Sequence, residues 1–519
     1  MPKRLNRKPG RSTGLFDRIS RAFSRHERLL IGLALGGILL VFASFAVVHR
    51  LVSGPQLRHW VNSDPEELLL DYEAGSSWVP GIIRLRGLTM HGSDENVQWW
   101  FRMEEVRISV SLLDLLRKRF HATSVTARGL VFRLREKEER TELSAAHLAR
   151  LPKIPGFSDP PLKTVDRKPP PPPATARRRY WTVLVENLDA DPAPEIWIEL
   201  YRFAGHGRVS GSFSIRPHVQ AWVGPAAVKF VSGSVTLGEK EPLLSSVSGL
   251  GTCVIEGYDP ERVRGPHVWP RISGRIQMEG GLTDLGFVNY FLRDSKEPRL
   301  TGGAGRAQAD IVFDHGIGRG QGRFETRDVT ARYSKGNLTG RAGGSLAVTR
   351  WDMERDVLDL SGSHIDLTEI TTSATAHDER DWWGHFQFSS GQLHDGLTAR
   401  TAVDARDARP LYTLFRANLP GWAQGILKLD DIHATARVHI GSDLLELREL
   451  EAQGGHFHIA GEYEQRKNRE RGAFLVESGL LALGLEIESA ASRLHLLGAR
   501  KWFEQERARW AGPAAPASH

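Results

Sequence analysis

One cysteine, Cys253, stands among 519 residues, so no disulfide can form within the chain and the fold cannot depend on one. Recognised catalytic signatures are missing too. There is no HExxH, no GxSxG, no Walker loop and no dinucleotide fingerprint. Gly302-Gly303-Ala304-Gly305 lacks the lysine and helix of a phosphate loop and reads as a hairpin turn. Nor does the bulk of the chain carry charge of one sign. The chain has 69 basic and 62 acidic residues, and setting aside residues 1–28, with nine Lys/Arg against Asp17 and Glu27, leaves 60 of each. A nucleic-acid partner needs a basic patch on the domain itself, and the excess here belongs to the tail.

Long hydrophobic runs are scarce as well, and the one present organises the rest. Leu29 to Val48 reads LLIGLALGGILLVFASFAVV, 20 residues without a charge. As a helix it spans roughly 30 Å, the thickness of a bilayer's hydrocarbon core. A cleaved signal would have a shorter apolar core and a small-x-small site, whereas this run ends Val47-Val48-His49-Arg50. The expectation is an uncleaved anchor, with residues 1–28 cytoplasmic by the positive-inside rule and everything after it across the membrane. Leu15, Phe16, Ile19 and Phe23 among the tail's arginines also suit an interfacial helix, or simply a solvated basic tail.

Past the run, the dominant period is two. Val106 to Leu112, Leu130 to Leu134 and a long series from Glu195 to Ile487 alternate apolar and polar residues, the mark of strands covered on one face. Glycine, 52 residues, is in excess of the usual share and favours frequent turns. Helical interruptions are few: a turn at 111–117, a helix capped by Thr283 or Asp284, a second capped by Asp407, and a terminal helix over Arg493 to Arg509. An offset of 123 residues superposes Asp284 on Asp407 and Ala309, Ile311 and Phe313 on Ile432, Ala434 and Ala436, a degenerate repeat.

These features divide the chain into a basic tail (1–28), an anchor (29–48, from Leu29 to Val48), a membrane-proximal module (49–151), a Pro-rich linker or loop (152–179), a β body (180–500) and a helix end with a frayed tail (501–519). Pro169 to Pro173 favour an extended spacer. His456, His458 and Glu462 share a strand face, but the polar one, opposite Phe457, Ile459 and Tyr463, so no metal is assigned. His377, Asp378, Glu379, Asp381 and His385 flank Trp382 and Trp383, read as a loop docking its tryptophans on the body or the membrane interface. No cofactor and no catalytic residue follow from the chain.

The expected fold class is mainly β: an N-terminal transmembrane helix, then an elongated, curved antiparallel sheet, with a few short helices. Too few amphipathic helices exist to cover the apolar faces. Either the sheet forms an open groove, lined by Ile108, Val110, Phe132, Ile432, Val438 and Phe457, or two sheets close as sandwiches. Ile82 to Met90, Met103 to Leu116 (MEEVRISVSLLDLL) and Ser124 to Leu134 (SVTARGLVFRL) resemble the N-terminal module of AsmA-like envelope proteins. The resemblance covers about 28–135, is architectural over 180–500, and does not include the Pro-rich insert. It implies a single-pass protein of a Gram-negative inner membrane whose periplasmic β-groove conveys phospholipid or another envelope lipid in support of outer-membrane biogenesis. A periplasmic or outer-membrane protein partner fits that role. The second reading is a non-enzymatic envelope scaffold that binds proteins, and the third an enzyme.

Overall fold

Alternation makes one-faced strands, and one-faced strands lie side by side when nothing else covers them. The computed structural model describes residues 45–510, apart from 138–150, 163–181, 292–298, 373–381, 409–429 and several shorter stretches. All 24 strands among the described residues belong to one large curved sheet. The described strands therefore do not divide into two separate sheets. Most of the apolar run, Leu29 included, lies outside them. Residues 45–53 are helical, and no described helix is long and apolar enough to cross a membrane.

The sheet starts with β1 (Leu68–Asp71), β2 (Ala74–Val79), β3 (Ile82–Ser93), β4 (Val97–Val110), β5 (Arg119–Arg128) and β6 (Val131–Glu136). Helix α1 (Gln56–Val61) precedes them, and the expected turn after Val110 is helix α2 (Leu112–Leu115). Val52, Leu57 and Val61 pack with Leu70, Leu85, Leu88 and Val106, so the residues just after the apolar run cover the start of the sheet's apolar face. β5 and β6 run end to end, both paired antiparallel to β4.

β7 (Thr182–Ile198) then lies parallel to both β5 and β6. A parallel neighbour cannot be reached by a hairpin; the chain must return along the full strand length, roughly 55 Å at 3.3 Å per residue. The connection, residues 137–181, contains the Pro-rich segment. Its described part begins packed: Ile154 is 2% exposed, Arg133 donates to the carbonyl oxygen of Pro155 at 2.6 Å, and Arg135 donates to Asp159 at 2.7 Å. Pro169 to Pro173 lie outside the described residues. Some 45 residues reach about 150 Å fully extended, well beyond the span. Deleting Pro169 to Pro173 should thus change stability by no more than about 0.5 kcal/mol. Thermal melts of the full chain check this, and a loss of many degrees would mean that the segment is packed.

From β7 onward the chain is a meander: β8 (Tyr201–Arg216), β9 (Gln220–Leu237), β10 (Pro242–Tyr258), β11 (Ile272–Leu282), β12 (Arg299–Asp314), β13 (Ile317–Tyr333) and β14 (Gly336–Asp352). The expected strand from Glu195 to Phe203 is instead the hairpin between β7 and β8, turning at Glu199 with φ 52°. Asp284 caps as expected, accepting from the Gly286 amide, and a short 3-10 turn leads into helix α3 (Val288–Phe291). The glycines from Gly302 to Gly305 are not a hairpin. They lie inside β12, where Gly302 and Gly303 take φ 73° and 91° without shifting the register to β13.

The distal third holds β15 (Val357–Asp359), β16 (His364–Thr372), β17 (Trp383–Leu393), β18 (Gly396–Asp407), β19 (Asp430–Gly441), β20 (Leu444–Gly454), β21 (Phe457–Arg466), β22 (Arg469–Ser478), β23 (Leu481–Glu488) and β24 (Ala491–His495). β15 and β16 share the gap between β14 and β17, as β5 and β6 share theirs. The helix expected after Asp407 falls outside the described residues. The terminal helix starts later than its pattern suggests: α4 is Ala499–Trp510, and residues 491–495 pair with β23. Leu494 and Leu497 stand at helical spacing, but pairing of Leu494 with Leu485 prevails.

Candidate functional site

Pairing residue by residue across this sheet exposes one continuous apolar surface. A first lane of directly opposed partners crosses eleven strands from β3 to β14: Leu85, Val106, Ala127, Ala190, Val209, Val228, Gly251, Ile276, Ile311, Gly320 and Val348. A second lane on the same face starts four residues away on β12 and reaches β23: Ala307, Phe324, Gly344, Ile365, Phe386, Val403, Ala434, Ala452, Ile459, Val476 and Leu483. No polar side chain interrupts either lane. At about 4.8 Å between strands, the two together run about 90 Å.

Cover over this face changes along its length. Leu85, Val106, Ala127 and Ala190 are buried beside Val52 and helix α1. Ile276 is 42% exposed, and every member of the second lane is half-buried. Side chains packed beneath a second layer would be closed off; those of the second lane are only half-buried among the described residues. Where neighbours are bulky, the medium is apolar enough to move titrations. Burial pushes the Tyr463 phenol up to about 12, and it raises the Cys253 thiol as well.

The six residues read from the sequence occupy two stations. Ile108 pairs with Ile83 and Val125, Val110 is buried opposite Ala122, and Phe132 packs between the first cluster and that of Ile196, Phe203 and Val235. Far along the sheet, Ile432 is buried with Trp382 and Ala405, Phe457 packs against the same cluster, and Val438 lies between Ala399 and Leu447. Val48 sits in the helical residues 45–53 and is 38% exposed. Sequence reading passed over the residues that join these stations, on β10, β17 and β18. Phe386 and Phe388 alternate in the sequence and could have been found; Gly249, Gly251, Ala399 and Thr401 carry too little bulk to mark a strand.

Opposite parity carries the charges. Arg208 pairs with Asp189 at 2.8 Å, Arg275 with Asp310 at 2.7 Å, and Arg400 and Arg437 with Glu449 at 3.1 and 3.2 Å. Arg133 bonds Glu195 at 2.7 Å with its guanidinium over Trp100. Hollows of about 410 and 360 Å³ are lined mainly by polar residues such as Arg58, Asp71 and Glu73, or Gln277, Asp310 and Arg323.

The expected histidine pair does not share a strand: His456 lies in the turn before β21, and only His458 stands on its polar side, which is not wholly solvated there. Helix α4 covers it: Phe503 packs with Ala460, Ala473 and Leu475, and Glu462 is 4% exposed with its carboxyl pushed up by burial. His458 faces Glu451 at 3.0 Å and Glu477 at 3.6 Å. Among the described residues no three His, Cys, Asp or Glu side chains converge as metal ligands. Trp382 does dock on the body, buried and donating its indole N–H to the Asp407 carbonyl at 3.0 Å, whereas Trp383 is exposed. His385 pairs with Asp366 on the polar side.

Fold and site thus define a mainly β protein of one large curved sheet with an unbroken apolar face. No family model, no curated protein and no solved structure matches the chain.

Proposed function

We propose that the curved sheet is an open groove that shields lipid acyl chains, held at a bacterial inner membrane by the apolar run with its bulk in the periplasm. The protein then conveys phospholipid or another envelope lipid in support of outer-membrane lipid homeostasis or assembly, without catalysing a reaction. The carrying observation is the pair of overlapping apolar lanes, half-exposed over most of their length. Leaving such a surface in water is costly, at about 25 cal/mol per Å² of apolar area, and a monomer rarely shows a patch that long without a ligand or partner. Acyl chains suit it because they ask for continuous apolar contact and no hydrogen bonds. The AsmA-like resemblance over 28–135 points the same way.

Native mass spectrometry of the detergent-extracted full chain tests this reading. Phospholipid should co-purify, and photo-crosslinkers at Phe386, Val438 and Phe457 should capture it while one at Arg437 does not. Crosslinks to protein alone from all three apolar positions would favour the scaffold reading instead.

A further inference from the structure

The corner where the sheet meets the end of the apolar run displays large apolar side chains to solvent. Trp78 and Val79, closing β2, are 75% and 53% exposed; Leu113 and Leu116, in and after α2, are 74% and 85% exposed. The two turns are neighbours, since Val110 donates its amide to the Gly81 carbonyl at 2.6 Å and Ile82 pairs with Ser109. The leucine turn is built, not frayed: Asp114 accepts from His121 at 2.7 Å, and the other ring nitrogen of His121 meets Glu186 at 2.9 Å. Exposed Arg117, Lys118 and Arg119 follow it directly. On the other flank the His49 ring lies 3.9 Å from that of Trp78, one residue past the end of the uncharged run at Val48.

We propose that this corner inserts its tryptophan and leucines into the headgroup region of an anionic membrane, with Arg117, Lys118 and Arg119 on the lipid phosphates. Trp favours that depth because its ring is apolar and its N–H polar, and basic residues beside buried apolar ones strengthen binding to anionic leaflets. The occupant is a bilayer, because the basic trio complements anionic headgroups and the run of membrane length ends at the same place. The corner therefore fixes how the sheet stands on the surface, which a flexible tether would not. This rests on the membrane-anchored part of the reading above, and not on lipid in the groove.

The test uses the full chain in liposomes of phosphatidylcholine with phosphatidylglycerol, in a Cys253→Ser background. Nitroxide labels at Leu113→Cys and Leu116→Cys are compared with one at Gln321→Cys on the polar face. The labels in the corner should show an oxygen-to-nickel-chelate accessibility ratio several-fold above that at Gln321, and Arg117→Glu with Lys118→Glu should lower it. Equal nickel access at all three positions overturns the proposal, and an unchanged ratio in pure phosphatidylcholine overturns its anionic part. Inserted labels without co-purifying phospholipid would sink the groove and leave the corner standing; captured phospholipid with water-exposed labels would do the reverse.

Discussion

Val438→Asp should remove most co-purifying lipid while lowering the melting temperature by only about a few degrees. Val438 stands half-buried between Ala399 and Leu447, on a face with no second sheet above it among the described residues. A carboxylate there can turn toward water from the open side, so the folding cost is about 1–2 kcal/mol instead of the several that an unpaired buried carboxylate demands. An acyl chain crossing that point would have to desolvate the charge, and passage stops. Arg437→Gln, one residue away on the opposite face, should leave lipid capture intact. Lipid per chain by native mass spectrometry and melts of the same samples give both numbers. Global unfolding of Val438→Asp would mean that the face is closed, and the groove would have to be given up.

Phe503→Ala should cost about 3–5 kcal/mol, the range for truncating a buried phenylalanine, yet the loss should stay local. Phe503 is 4% exposed and anchors α4 on Ala460, Ala473 and Leu475, while Trp502 stacks on His495 of the edge strand at 4.1 Å. Of the ion pairs around it, Arg500 with Glu477 is close but its guanidinium is largely exposed, and Arg507 with Glu462 and Arg471 with Glu506 stand at 3.5 and 3.8 Å, so together they hold the helix only weakly. In a sheet where each strand touches only its neighbours, disruption at one end spreads weakly. Hydrogen exchange should show faster amides over β21 to β24 and unchanged ones over β3 to β8. Uniform acceleration along the chain would contradict this.

Period-two alternation made the β class legible, because Ile311 against Asp310 or Ala434 against Arg437 marks which side is covered. It does not say by what. Nothing in the pattern separates one continuous sheet from two separate ones, since both bury the same parity, and only pairing through β10 and β17 joins the strands into one. Small residues hid those joints: Gly251 holds a lane position, and Ala399 stands on the same face of β18, with almost no hydrophobic signal. At the end of the chain, local spacing lost to pairing when Leu494 joined β23. The corner of Trp78 and Leu113 was unreadable because exposure of an apolar side chain belongs to the folded surface and not to sequence order.

The uninterrupted meander from β7 onward also bears on how such a protein changes over generations. One duplicated hairpin adds two strands, returns the chain to the same edge and keeps the facing parity of everything after it. Reach can therefore grow or shrink in steps of about 10 Å, two strand spacings, with the remaining lanes unaltered. The parallel step at β7 is the exception: a copy inserted there would need a second long return crossing. Variation in length should accordingly concentrate beyond β7, leaving β1 to β6 as the fixed base.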